Sequence, residues 1–90
     1  MDTKFDGYVF IDVRGSEEFN DSHVSGAVNI TVGDISEDHP KLKALDKQTE
    51  IVVYCAAGGR ANQAKLKLEK IGFKKVINGI NKQEVESKFF

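Results

Sequence analysis

The chain has one cysteine, Cys55, and it ends the apolar run "IVVY" just before Ala56, Ala57, Gly58, Gly59 and Arg60. A lone cysteine after a buried strand is commonly a small hydrophobe filling space. The residues that follow Cys55 point instead to chemistry. Gly58 and Gly59 can take backbone angles that other residues avoid, which lets several N–H groups turn inward on one point. A helix beginning near Arg60 or Ala61 would aim the positive end of its dipole at the same place. Arg60 adds a charge that is permanent near neutral pH. Such an anion cradle lowers a thiol pKa from about 8.5 and favours the nucleophilic thiolate.

The cradle needs a rigid mount, and "EIVVY" supplies one, apolar along most of its length as in a strand covered on both faces. "YVFID" (Tyr8 to Asp12), "GAVNI" and "KKVIN" read as further strands. Between them, "GSEEF" reads as a short helix capped by Ser16, with Glu17 and Glu18 in its first turn. "VGDISEDHPKLKALD" reads as two helical pieces broken near His39 and Pro40. Ala61, Ala64, Leu68 and Ile71 recur at helical spacing among charged residues, and Gly72 is placed to end that helix. "NKQEVESKFF" reads as a terminal helix. Strands alternating with helices predict an α/β fold with a mostly parallel central sheet and helices on both faces. Ligands of such sheets sit beyond the carboxyl ends of the strands, where Cys55 falls.

Ninety residues predict one domain spanning 1–90 with a modest core. Thirteen basic and fourteen acidic residues leave a net charge of -1, and no basic stretch interleaves with aromatics, so nucleic acid is not expected as a partner. No apolar run approaches the ~20 residues of a membrane span. The polar start "MDTKFDG" lacks a signal peptide's apolar segment. One cysteine excludes an internal disulfide, which suits a reducing compartment. One cysteine and two scattered histidines make no usual metal-ligand spacing, so neither metal nor cofactor is expected.

"CAAGGR" after "IVVY" resembles the active-site loop of rhodanese-like sulfurtransferases: a cysteine, two variable residues, glycine, one variable residue and arginine. "VFIDVRGSEEFNDSHVSGAVNI" resembles the family's aspartate-x-arginine and histidine-x-x-glycine-alanine segments, and "KLEKIGFKKVING" its helix-glycine-aromatic-strand segment. The similarity runs from about Tyr8 to Ile80, with its segments in order. It implies a rhodanese-like fold and a double displacement. Cys55 would take the outer sulfur of a donor such as thiosulfate as a persulfide, then yield it to cyanide or a thiol, on a small molecule or a protein. This is exchange at sulfur, with the N–H groups of residues 56–60 stabilising the charged sulfur as in an oxyanion hole.

By the same resemblance, Arg60 orients the loop and stabilises anionic substrate or persulfide, its alternative being a surface salt bridge that closes the loop. Asp12 and Arg14 match the aspartate-x-arginine segment and read as structural, an ion pair or hydrogen-bond set at a strand end beside the loop, the alternative being a direct catalytic part. His23 reads as a turn-stabilising residue, His39 as an exposed loop residue, and Lys41, Lys43 and Lys47 as a solvated face. The chain departs from the family pattern at Ala61, where serine is frequent, at Asn78, which replaces a glycine, and in having no tryptophan. Its brevity resembles the small phage-shock-protein-E type of rhodanese, periplasmic in bacteria, so a periplasmic location stands beside a cytoplasmic one. Related cysteine-loop phosphatases and arsenate reductases hold one more residue between cysteine and arginine, a wider pocket suited to a tetrahedral oxyanion. The other alternative is a non-catalytic rhodanese-like binding or sensing module, which commonly lacks the cysteine.

Overall fold

The structure is a computed structural model that describes residues 7–90; the polar start read above at residues 1–6 lies outside them. Four strands, β1 (Tyr8–Asp12), β2 (Val28–Asn29), β3 (Glu50–Cys55) and β4 (Lys75–Asn81), form one sheet in the order β2-β1-β3-β4. All three pairings are parallel. Parallel neighbours need crossovers. Helix α1 (Ser16–Asp21) links β1 to β2, and a 3₁₀ turn (Val32–Asp34) with α2 (Pro40–Lys43) links β2 to β3. Helix α3 (Gly59–Ile71) links β3 to β4, and α4 (Lys82–Phe89) follows.

Side-chain alternation along the strands builds two cores. Ile11, Ile51, Val53 and Cys55 pack on one face against Leu42 of α2 and Ala61, Ala64 and Leu68 of α3. Phe10, Val52 and Tyr54 pack on the other face with Val24 and Val85, joined by Phe19 of α1 and Phe89 of α4. The residues from Ile51 to Cys55 are all buried, which is why β3 reads as continuously apolar. After β1 the chain crosses to β2 on one side and then to β3 on the other, so the strand order reverses between β1 and β3. The crevice at that reversal lies beyond Asp12 and Cys55.

The structure sharpens several boundaries. Gly15, not Ser16, caps α1, and the Glu18 carboxylate accepts the Gly15 N–H at 3.1 Å. A glycine offers no capping side chain, so the acid one turn ahead reaches back to the orphan donor. The second strand shrinks to two residues, and the fourth runs three residues beyond Asn78. His39 is no exposed loop residue: it is half-buried and caps α2, its Nδ1 accepting the Lys41 N–H at 3.1 Å, with Pro40 at the first helical position. The Lys47 ammonium lies 4.7 Å from the centre of the Phe73 ring, so this lysine is more than part of a solvated face. Gly72 ends α3 with φ of 121°.

β4 carries an irregularity with consequences for the site. Val53 faces Asn78 but Cys55 faces Asn81, so β4 holds one residue more than β3 over this stretch. Ile80 takes φ of 75° there, a region that costs a β-branched residue about 1–2 kcal/mol. Gly79 beside it admits no side chain: a Cβ would stand 2.6 Å from Val85 Cγ2, 2.9 Å from Val52 Cγ1 and 3.2 Å from the Val53 carbonyl. Gly79→Ala is expected to lower stability by about 1–3 kcal/mol through overpacking. Urea unfolding checks this, and an unchanged midpoint would show that the bulge relaxes freely.

Candidate active site

Cys55 is the last residue of β3, and its side chain lies under the first turn of α3, 2% exposed. Its Sγ accepts the N–H of Gly58 at 3.0 Å and that of Ala61 at 3.3 Å. Gly58 caps α3 with φ of 97° and has no side chain to offer the helix. The sulfur therefore occupies the role of the missing cap, accepting an N–H that the helix cannot bond internally. Burial pushes the thiol pKa up, and the N–H groups of Ala61, Ala57, Gly58 and Arg60 pull it down. The donors win: the thiol lies below its ordinary value. Ala56 and Ala57, both exposed, form the uncharged outer part of the loop.

The loop is braced from β4. The Asn78 amide donates to the Gly58 carbonyl at 3.3 Å and accepts the Ile80 N–H at 2.9 Å. Ile80 follows the bulge and stands next to Gly58, where a Cβ would lie 3.5 Å from its Cγ2. Arg60 leaves the loop sideways. Its Nη1 meets Glu18 Oε1 at 2.9 Å and its Nη2 meets Oε2 at 3.3 Å, with both side chains partly exposed. That two-point bond ties the loop after β3 to the helix after β1, across the crevice. It holds Glu18 down at about 2, through Arg60 first and the Gly15 N–H second. Glu18 raises Arg60 in return, and the Cys55 charge adds to that rise.

Asp12 and Arg14 meet at the end of β1. The Asp12 carboxylate, 0% exposed, accepts from the Arg14 backbone N–H at 2.9 Å and from its guanidinium at 2.7–3.1 Å. Arg14 also donates to the Ser22 carbonyl at 2.6 Å and lies 5.7 Å from the centre of the Tyr54 ring. The Tyr54 hydroxyl accepts the Val24 N–H at 2.9 Å, and burial pushes its pKa up to about 12. Asn29 bonds the Asp12 and Arg14 carbonyls at 2.9 and 3.0 Å. This set locks the β1 end to Ser22, Val24 and Asn29 of the segment that leads into and forms β2. His23 stays outside it, stacked on Phe19 at 3.8 Å with Nδ1 2.8 Å from the Phe19 carbonyl. Among the described residues no group of His, Cys, Asp and Glu is arranged to hold a metal ion.

The candidate site residues Cys55 to Arg60, Asp12 and Arg14 thus lie at the carboxyl end of the sheet, though Asp12 and Arg14 face the Tyr54 side and Cys55 the α3 side. The parts that Glu18, Asn29, Tyr54 and Asn78 play at the site escaped the sequence reading. Asn78 left a signal, a polar amide late in an apolar strand. Glu18 left none beyond its place in a first helical turn, because its partner is 42 residues away.

The model of the Rhodanese-like domain matches residues 2–80. The thiosulfate sulfurtransferase PspE of Escherichia coli is 38% identical over 69 residues, covering 77% of this chain and 65% of PspE. YrkF of Bacillus subtilis is 37% identical over 68 residues, 76% of this chain and 35% of YrkF, so the chain spans less than two thirds of either relative. Among solved structures, a rhodanese from E. coli determined with anions superposes with a TM-score of 0.76 at 32% identity, covering 86% of this chain and 89% of that one. The Rhodanese_3 like domain of Alr3790 from Anabaena gives 0.78 at 26% identity, covering 89% and 91%. With the parallel sheet and the cysteine loop at its carboxyl end, these matches place the chain in the rhodanese-like domain family, alongside the sulfurtransferase PspE and the putative sulfur carrier protein YrkF.

Proposed function

We propose that this domain transfers a sulfane sulfur through a persulfide on Cys55, from a donor such as thiosulfate to a thiophilic acceptor such as cyanide or a thiol. The observation that carries the reading is the pair of N–H groups, from Gly58 and Ala61, aimed at a sulfur that burial alone would keep protonated. The thiolate attacks the outer sulfur of thiosulfate, the donor's S–S bond breaks, and sulfite leaves with the electron pair. The new persulfide carries its charge on the terminal sulfur, in reach of the loop N–H groups that held the thiolate. An acceptor thiolate or cyanide then attacks that sulfur, and Cys55 returns as the thiolate leaving group, suited to leaving by its lowered pKa. Arg60 adds charge at the loop and, through Glu18, holds the loop against α1. Asp12 and Arg14 act as supporting residues that fix the neighbouring strand end.

Incubation with thiosulfate or another sulfane donor is expected to add one sulfur atom to the intact mass, an addition absent in Cys55→Ala. No gain from any such donor would favour a binding module instead. Arg60→Ala is expected to slow sulfur uptake roughly 10–100-fold, as for a lost anion-stabilising donor whose charge is shared. Its partly exposed ion pair adds little to stability, so thermal unfolding should barely move. Equal uptake rates in mutant and wild type would remove Arg60 from the mechanism. Gly58→Ala is expected to lower stability by about 1–2 kcal/mol, because φ of 97° disfavours any side chain. It should also slow sulfur uptake by misaiming the N–H at Sγ; a destabilised variant with full uptake would show that this N–H plays no part.

A further inference from the structure

Both arginines that the fold brings to the carboxyl end of the sheet are already paired with carboxylates. Arg14 is held by the buried Asp12 and by the Ser22 carbonyl. Arg60 is held at two points by Glu18, which stays ionised at any working pH. With Cys55 as a thiolate, these paired charges leave the site one net negative charge. The exposed part of the loop offers only Ala56 and Ala57, and the neighbouring residue on β4 is the partly exposed Ile80. Ile80 stands beside Gly58 in a backbone conformation unusual for its type, so the apolar wall is held there by the bulge. An apolar rim over a compensated charge is a poorer seat for a dianion than for a donor of lower charge.

We infer that Glu18 sets the donor preference of the site: by compensating Arg60 it disfavours dianionic thiosulfate and leaves a persulfide on an uncharged thiol as the preferred donor. The inference rests on the sulfurtransferase reading above. The step balances without an outside oxidant or reductant. The Cys55 thiolate attacks the outer sulfur of R–S–SH, the donor's S–S bond breaks as the new one forms, and R–S⁻ leaves with the electron pair. The proton of the outer sulfur passes to R–S⁻, giving R–SH and the Cys55 persulfide anion.

The test compares specificity constants for sulfur uptake by Cys55, read by intact mass, with thiosulfate and with the persulfide of 2-mercaptoethanol. Glu18→Gln keeps an oxygen for the Gly15 N–H but removes the charge. The ratio of thiosulfate to persulfide rates is expected to rise about tenfold in that variant. Ala56→Arg leaves Glu18 in place and adds a cation on the exposed loop, so it should move the ratio the same way and decides the matter if Glu18→Gln does not fold. In wild type the thiosulfate rate should rise with ionic strength as like-charge repulsion is screened, and the persulfide rate, for a donor of at most one charge, should rise less. A ratio unchanged in both variants, or a thiosulfate rate that falls more than the persulfide rate in Glu18→Gln, overturns the inference and leaves the sulfurtransferase reading standing. Uptake from neither donor by the wild-type protein overturns both.

Discussion

A buried sulfur can carry a negative charge only where N–H groups face it, and the geometry around Cys55 follows from that constraint. A residue as buried as Cys55 has little water to solvate its charge, so the backbone must take over. Two donors reach Sγ within hydrogen-bond distance because Gly58 turns the chain at positive φ and α3 starts immediately after it. The turn in turn needs a fixed base. β3 provides it by being buried on both faces, and Asn78 ties the Gly58 carbonyl to β4. Even the bulge in β4 belongs to this chain of dependence, since it sets Ile80 beside Gly58 while the Asn78 amide holds the Ile80 N–H.

Charge at this end of the molecule is handled by pairing. Asp12 is wholly buried and is tolerable there because Arg14 meets it with both backbone and guanidinium donors. Removing one member of such a pair strands the other charge in a dry site. Glu18 and Arg60 are partly exposed, so their bond adds little to stability and its value lies in what it joins. It links the segments following β1 and β3, the two strands between which the sheet order reverses. The same pairing determines which charges a substrate meets on arrival.

Local signals were legible in the sequence and distant ones were not. The cysteine, the glycines and the following amphipathic helix lie within a few residues, and each has a strong conformational preference of its own. The apolar run of β3 announced burial on both faces, and Gly72 announced the end of α3. Ser16 misled because serine is a favoured cap, whereas here Gly15 takes the position and the Glu18 carboxylate satisfies its N–H. The Glu18–Arg60 bond joins residues far apart in the chain and exists only once β1 and β3 pair. The bulge was equally hidden, since an isoleucine gives no sign of a positive φ; Ile80 takes it beside Gly79, which lies too close to Val52 and Val85 to carry a side chain.

The loop backbone holds Cys55 as a thiolate against its burial. With one cysteine in the chain, the pH dependence of its alkylation by iodoacetamide, followed by intact mass, reports that group alone. The lowered pKa predicts a rate profile whose midpoint lies below that of an unstructured cysteine peptide alkylated alongside. A midpoint at or above the peptide's would mean that desolvation outweighs the N–H donors, and would contradict the account.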